Sequence, residues 1–377
     1  MGSKRIRLLF TASEFMHNSQ VRNLCDLVSG LDRSVFEIEI SALELGNEGQ
    51  PLIEELDVPV SQLRLLLPPR NSLKELRQFL AAPGLLRRKR YDIVHSLMWQ
   101  SQFIEPLVVK SFTSARYVYT KSNLHWDNHR ISWNWKSRLS DKIISISSAT
   151  DDVLFRHGFR NKTERAPLGI DTNVFAYSEQ KRCAMRNRHG LPRDAFVYGC
   201  AAHFVEIKDH LTLVSAFESL ASRYRNVRLL LCGAHHGDDY YRRVVAQIAD
   251  SPYKSRITLL GALDDMHGFY SALDCFVFPS YWDAFGLVVA EAMSCRLPCV
   301  ACRTQGPLDM IEEGETGFFC EPRNARDMAT QMEKYLIDSG LGKRHGSAGQ
   351  IRATRLFSRE AMVARTTHVY LSLVAKS

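Results

Sequence analysis

Short apolar runs separated by amphipathic stretches fall along this chain in two successive series. Residues 7–11, 36–41, 93–95, 117–120 and 142–147 are apolar-rich and bounded by turn formers. That is the pattern of strands buried on both faces of a parallel sheet. Between them, residues 21–31 and 72–80 carry apolar positions at helical spacing. A second series follows at 196–201, 227–232, 257–260, 274–278 and 299–302. Two alternations of strand and helix predict an α/β chain with two Rossmann-like, doubly wound parallel-sheet domains. The charged stretch after Pro167 reads as a connector. The expected boundaries are a first domain at 1–167, a linker at 168–192 and a second domain at 193–357. Ser358 is a suitable N-cap for a last helix running to about 375.

The densest chemistry lies between Phe278 and Gly317. The run at 274–278 is stopped by Pro279, and residues 286–293 are rich in helix formers with no internal breaker. The first turn of such a helix has unpaired amides and the positive end of the dipole. Gly286 lacks a Cβ, so a diphosphate can approach the backbone of Gly286, Leu287 and Val288. Glu291 lies about one turn past Leu287 on the same face, within reach of a ribose beside the phosphates. Asp283, ahead of the helix, can accept hydrogen bonds from the hydroxyls of an attached sugar. An ordinary strand–loop–helix with surface acids fits the same spacing.

This segment resembles the E-x7-E region of retaining glycosyltransferases of the GT-B fold, close to glycosyltransferase family 4. Pro279, Ser280, Phe285, Gly286, Leu287, Glu291, Ala292, Met293, Pro298, Val300, Gly306 and Gly317 stand in the family's order. Asp283 occupies the place of the usual first Glu, and Asp309 that of a later one. Pro167, Gly169, Ile170, Asp171 and Phe175 resemble the family's hinge signature. The resemblance implies two domains facing across a cleft, with a final helix at about 358–377 crossing back to the first. The donor would sit on the second domain and the acceptor on the first. Lys208 would be the cation for the donor diphosphate, His203 would stand where an Arg is usual, and Gly261 would meet the base. On the acceptor side, Glu14, His17, Asn18 and Ser19 replace a Gly-Gly loop. His95 and His125 would line the reaction cleft, with a satisfied core histidine as the plainer reading of His95.

The implied activity is transfer of a sugar, with retention, from a nucleotide-diphosphate sugar to a glycan or lipid-linked acceptor, in cell-surface polysaccharide biosynthesis. In that reading Asp283 positions donor hydroxyls, and no cofactor beyond the donor substrate is expected. The chain contains no Asp-x-Asp pair, so no metal is expected. A sugar-nucleotide-binding protein without transferase activity, or a nucleotide-sugar epimerase of the same fold, are the competing readings.

Composition narrows the class further. The chain has 377 residues, enough for two domains, with 45% hydrophobic and 24% charged residues, a globular balance. No apolar run is long enough to span a bilayer, and the N-terminus reads as a first strand. Nine cysteines, an odd number in apparent core segments, point to reduced thiols and a cytoplasmic location. Cys295, Cys299, Cys302 and Cys320 leave a zinc site as a sharper alternative to simple packing. The net charge of +8 is concentrated in the first half. There Leu73, Leu76, Phe79 and Leu80 neighbour Lys74 and Arg77, ahead of Arg87–Arg90. A basic amphipathic face of this kind can rest on an anionic membrane, peripherally on the inner face of the cell membrane, or be merely a solvated helix. No nucleic-acid-binding motif accompanies the charge.

Overall fold

Both series of apolar runs form parallel sheets in the computed structural model, which describes residues 4–15, 19–45, 54–66, 73–98, 100–235, 237 and 239–375. The first sheet contains β1 (Ile6–Phe15), β2 (Phe36–Leu45), β3 (Val60–Ser61), β4 (Ile93–Ser96), β5 (Arg116–Lys121), β6 (Lys142–Ser145) and β7 (Thr163–Arg165). Its order is β3-β2-β1-β4-β5-β6-β7. The second contains β8 (Phe196–Ala201), β9 (Val227–Cys232), β10 (Ile257–Gly261), β11 (Cys275–Phe278), β12 (Cys299–Cys302) and β13 (Gly317–Cys320). Its order is β10-β9-β8-β11-β12-β13. The chain divides into two units: one runs to Gly169 and resumes at Arg359, and the other is Ile170–Ser358.

Pleating explains how each sheet is covered on both faces. In β1, Leu8 and Phe10 enter one apolar cluster with Val28, Ile38 and Tyr370, while Leu9 enters another with Leu86, Tyr117 and Trp133. Successive side chains point to opposite faces, so a doubly covered strand is apolar at both. Tyr370 belongs to the Arg359–Val374 helix, whose buried residues, including Met362, Thr366 and Val369, pack within the first unit. In the second unit the Val227–Cys232 strand and the His210–Ala221 helix share a core of Leu229, Leu231, Val214 and Phe217.

Several details differ from the sequence reading. β3, β7 and β13 are short edge strands outside the two series of apolar runs. The helix expected at 72–80 runs from Leu73 to Lys89 through Pro83, so Arg87, Arg88 and Lys89 are its last turn. Phe357 closes the preceding helix, Ser339–Phe357, and the last helix starts at Arg359. The expected linker 168–192 holds a helix, Glu179–Arg188, that is part of the second unit. Asp274 fastens it: Arg182 and Arg186 donate to the two carboxylate oxygens at 2.7 and 2.6 Å, and the Val197 amide also donates to Asp274, at 2.8 Å. A charged stretch that finds such a partly buried partner becomes scaffold.

In each sheet the strand order reverses once, between β1 and β4 and between β8 and β11. Loops leaving the carboxyl ends at such points diverge and leave a crevice. In the second unit these are the loops after Ala201 and Phe278. The second is held close by Gly306, where an added Cβ would lie 2.2 Å from the Phe285 carbonyl oxygen. Gly306→Ala should therefore lower the denaturant midpoint, by about 1–3 kcal/mol of stability. Gly84, in the interior of the Leu73–Lys89 helix, has nothing within 4 Å of an added Cβ. Gly84→Ala should raise stability by roughly 0.5–1 kcal/mol in the same measurement.

Candidate active site

The second unit builds its site from the loops that flank its switch point. After Phe278 the chain crosses Pro279–Phe285 and turns at Gly286, with φ +84°, into the Leu287–Ser294 helix. Gly286 is the N-cap residue, and no side chain caps the helix start. An ordinary residue is strained at this φ. Its Cβ would also lie 3.4 Å from the Phe278 ring. The Val289 amide is turned back to the Gly286 carbonyl at 2.8 Å. Leu287 and Val288 are the first two helical residues and are only partly buried.

Asp283 and Lys208 meet directly. The Lys208 ammonium pairs with Asp283 Oδ2, and the two side chains are only 17% and 19% exposed. The other carboxylate oxygen accepts from the Phe285 amide at 3.0 Å, which bends the loop just ahead of Gly286. The Asp283 carbonyl accepts from the Gly306 amide at 3.1 Å. Lys208 comes from the loop after β8, and the Tyr281 amide ties the two loops together through the Ile207 carbonyl at 3.1 Å. The Lys208 nitrogen also lies 5.5 Å from the centroid of the Phe278 ring. A cation, a carboxylate and a helix start are thus gathered within one loop pair.

Glu291 is buried, 3% exposed, and its Oε2 accepts from the Tyr270 hydroxyl at 2.7 Å. The sequence reading did not find Tyr270. The contact links two helices 21 residues apart, and no local period signals it. Burial and the Glu291 carboxylate push the Tyr270 phenol well above its ordinary range, so it stays a donor. Gly261 ends β10 at φ +67°, with open space at its Cβ position, and its carbonyl accepts from the Gly233 amide at 2.8 Å. His203 is exposed, and its carbonyl accepts from the Val205 amide at 2.8 Å. The four cysteines weighed as a zinc set are buried among apolar side chains, and Cys302 and Cys320 stand paired across β12 and β13 with sulfurs 3.9 Å apart. Among the described residues no cluster of His, Cys, Asp and Glu is arranged to hold a metal.

The first unit places its expected residues differently. His95 is 1% exposed, and its ring nitrogens bond Tyr370 at 2.6 Å and Thr120 at 2.8 Å. Burial lowers its pKa to about 3. His95 is therefore a neutral core histidine: both nitrogens are spent on packing partners, and this corrects its expected place in a reaction cleft. His125 is exposed on the loop after β5. Its carbonyl accepts from Lys121 Nζ at 2.8 Å. Lys121 is itself fully buried, 3.8 Å from the Trp133 ring centroid, and burial lowers its pKa to about 6. Of the expected acceptor loop, Glu14 lies in β1 opposite Glu44 and Ser19 begins the Ser19–Gly30 helix. His17 and Asn18 lie outside the described residues.

With this geometry in place, known proteins can be set beside it. Residues 20–174 match the model described as Glycosyltransferase Family 4, and residues 181–352 match Glycosyl transferases group 1. The chain is 26% identical over 244 residues to the capsular polysaccharide biosynthesis glycosyltransferase CapM of Staphylococcus aureus, covering 63% of this chain and 60% of that relative's length. It is 27% identical over 366 residues to a D-inositol 3-phosphate glycosyltransferase of Pseudarthrobacter chlorophenolicus, covering 87% and 84% of the two chains. The crystal structure of HepE from Anabaena in complex with UDP superimposes with a TM-score of 0.85 at 20% identity, covering 97% of this chain and all of that one. The fold is GT-B. The chain belongs to the family 4-like glycosyltransferases.

The buried imidazoles make a prediction about acid. His95, held near 3, and His210, lowered by burial to about 4, stay neutral in the fold below pH 6.5, while an unfolded chain protonates there. The unfolded state then binds more protons, so stability falls as pH drops from about 6.5 towards 4. Each imidazole adds a slope of about 1.4 kcal/mol per pH unit at most. Denaturant midpoints across that window check the sign.

Proposed function

We propose that the chain moves a sugar from a nucleotide-diphosphate sugar to a glycan or lipid-linked acceptor, with retention of configuration, in cell-surface polysaccharide biosynthesis. The observation that carries this reading is the Gly286 turn, which starts a helix with no side-chain cap beside the Lys208–Asp283 pair. Names of relatives support the same direction. One acts in capsular polysaccharide biosynthesis, and a 22% identical protein from Escherichia coli is a UDP-Gal:alpha-D-GlcNAc-diphosphoundecaprenol alpha-1,3-galactosyltransferase. HepE has been crystallised with UDP-glucose.

In this mechanism the donor diphosphate lies on the amides of Gly286, Leu287 and Val288 and takes Lys208 as its cation. Charge builds on the leaving diphosphate as the bond to the sugar breaks, and fixed donors placed there lower the barrier. Lys208 meets Asp283 in the fold, so donor binding exchanges one anion for another. Asp283 is then left to hold donor hydroxyls, with an arm shorter by one methylene than the usual Glu. Glu291 receives the ribose, and Gly261 leaves backbone room for the base. A phosphate oxygen of the leaving group takes the acceptor proton on the same face, so the step needs neither a protein nucleophile nor a metal. His125, exposed on the loop after β5, and the segment from Glu14 to Ser19 serve the acceptor. A binder without transferase activity would neither hydrolyse donor nor use acceptor, and an epimerase would turn over donor alone.

A second surface bears on the lipid-linked acceptor and on a cytoplasmic protein held peripherally at the inner membrane face. On the Leu73–Lys89 helix, Leu73, Leu76 and Leu80 are 76%, 42% and 67% exposed, with Arg77, Arg87 and Arg88 exposed beside them. Among the described residues no helix is long and apolar enough to cross a membrane. An apolar stripe edged with cations suits an anionic lipid surface, each cation adding about 1 kcal/mol.

Thermal-shift screening against uridine, guanosine and adenosine diphosphate sugars tests donor binding. A ligand at 100 times its Kd stabilises by about 2.7 kcal/mol. Glu291→Ala should abolish the shift and Lys208→Ala should weaken it. Asp283→Asn should separate two roles: nucleoside diphosphate binds as tightly or tighter, because Lys208 loses its competitor, while kcat/KM for transfer falls about 10- to 100-fold. For the lipid surface, Leu76→Glu with Leu80→Glu should abolish co-flotation with vesicles containing phosphatidylglycerol and leave nucleotide binding unchanged.

A further inference from the structure

Glu291 is a carboxylate almost without solvent, and such a group is costly unless its hydrogen bonds are supplied by the protein. Tyr270 supplies one, at 2.7 Å, from the Met266–Ala272 helix. That phenol cannot swing away. Its ring is fully buried and meets Phe175, Phe269 and Phe276 edge-on, with centroids 5.9, 5.5 and 5.7 Å away. Each of those rings belongs to a different part of the second unit. Phe276 is in β11 and Phe269 is on the same helix as Tyr270. Phe175 follows Asp171, whose carbonyl accepts from the Phe175 amide at 2.9 Å. The hydroxyl is therefore a fixed point, and the Glu291 carboxylate must orient to it.

We propose that Tyr270 is a positioning residue for donor selection: its hydroxyl sets the plane of the Glu291 carboxylate so that the group meets the vicinal hydroxyls of a ribose. This rests on the reading that Glu291 receives the ribose. A carboxylate offers about four lone-pair sites, so one bond to Tyr270 is compatible with further bonds to a diol. Geometry is what the diol requires. Two hydroxyls are held together only if both carboxylate oxygens lie at the right height and rotation, and a free Glu side chain would lose rotamer entropy in reaching it. The raised Tyr270 phenol keeps its proton, so the direction of the bond does not change over the working pH range. Cys232 and Cys295, which also lie near Glu291, are held as neutral thiols by burial and by that carboxylate, so neither brings a competing charge.

The test uses the full chain and calorimetry with UDP, GDP and ADP and their 2′-deoxy and 3′-deoxy forms. For whichever diphosphate binds, the wild type should prefer the ribose form over at least one deoxy form by about tenfold or more. Glu291→Gln should bring that ratio close to one. Tyr270→Phe, which keeps the ring and its packing, should lower the ratio about five- to tenfold with little change in affinity for the deoxy form. The donor KM should rise while kcat stays within about twofold. Tyr270→Phe added to Glu291→Gln should change the ratio no further. A merely structural tyrosine would weaken ribose and deoxyribose forms alike, and a Tyr270→Phe ratio equal to wild type overturns the proposal. If Glu291→Gln itself leaves the ratio unchanged, the ribose reading of Glu291 fails, a result distinct from the failure of Tyr270 alone.

Discussion

A backbone at φ +84° between Phe285 and Leu287 is the constraint on which the site depends. It turns the chain out of the β11 loop and into a helix within one residue, with its face against the Phe278 ring. Glycine is suited to that left-handed backbone, which strains any residue with a Cβ. The same turn fixes where Asp283 stands, because its carboxylate holds the Phe285 amide and its carbonyl holds Gly306. It also fixes Glu291, less than two turns further on. The position of three chemically active groups thus follows from one conformational choice.

Around that turn the charges are arranged in opposition. Lys208 and Asp283 neutralise one another while mostly excluded from water, and a largely buried pair gains little net free energy over its solvated ions. The pair is better understood as a poised cation than as a stabilising link. Glu291 differs: it is deeper, and it accepts from a neutral hydroxyl, that of Tyr270. One carboxylate thus pairs with a cation, and the other bonds a hydroxyl held in a packed ring. Two acids in one short segment thus differ in depth and in partner.

How much of this was legible in the sequence depends on the range of the interaction. Both sheets could be read, since central strands such as Cys275–Phe278 are buried on two faces and apolar at successive positions. The strands missed, Val60–Ser61, Thr163–Arg165 and Gly317–Cys320, are edge strands of two to four residues, too short to carry a pattern of their own. The helix at 179–188 could not be foreseen as scaffold, because Asp274, its anchor, lies 92 and 88 residues from the arginines it holds. The Gly286 turn was visible because it is local. The Lys208–Asp283 and Tyr270–Glu291 pairs were not, since spacing along the chain says nothing about which distant loop lies alongside. His95 shows the same limit: a histidine at a strand end looks chemical until a tyrosine of the last helix occupies its ring nitrogen.

The central claim is that a nucleoside diphosphate seats its phosphates at the start of the Leu287–Ser294 helix. A crystal structure of the chain grown with a bound nucleoside diphosphate tests it most directly. The account predicts phosphate oxygens within hydrogen-bonding distance of the Leu287 and Val288 amides, with the Lys208 ammonium moved from Asp283 towards them. Phosphates bound elsewhere, with that helix start untouched and the Lys208–Asp283 pair intact, would contradict it.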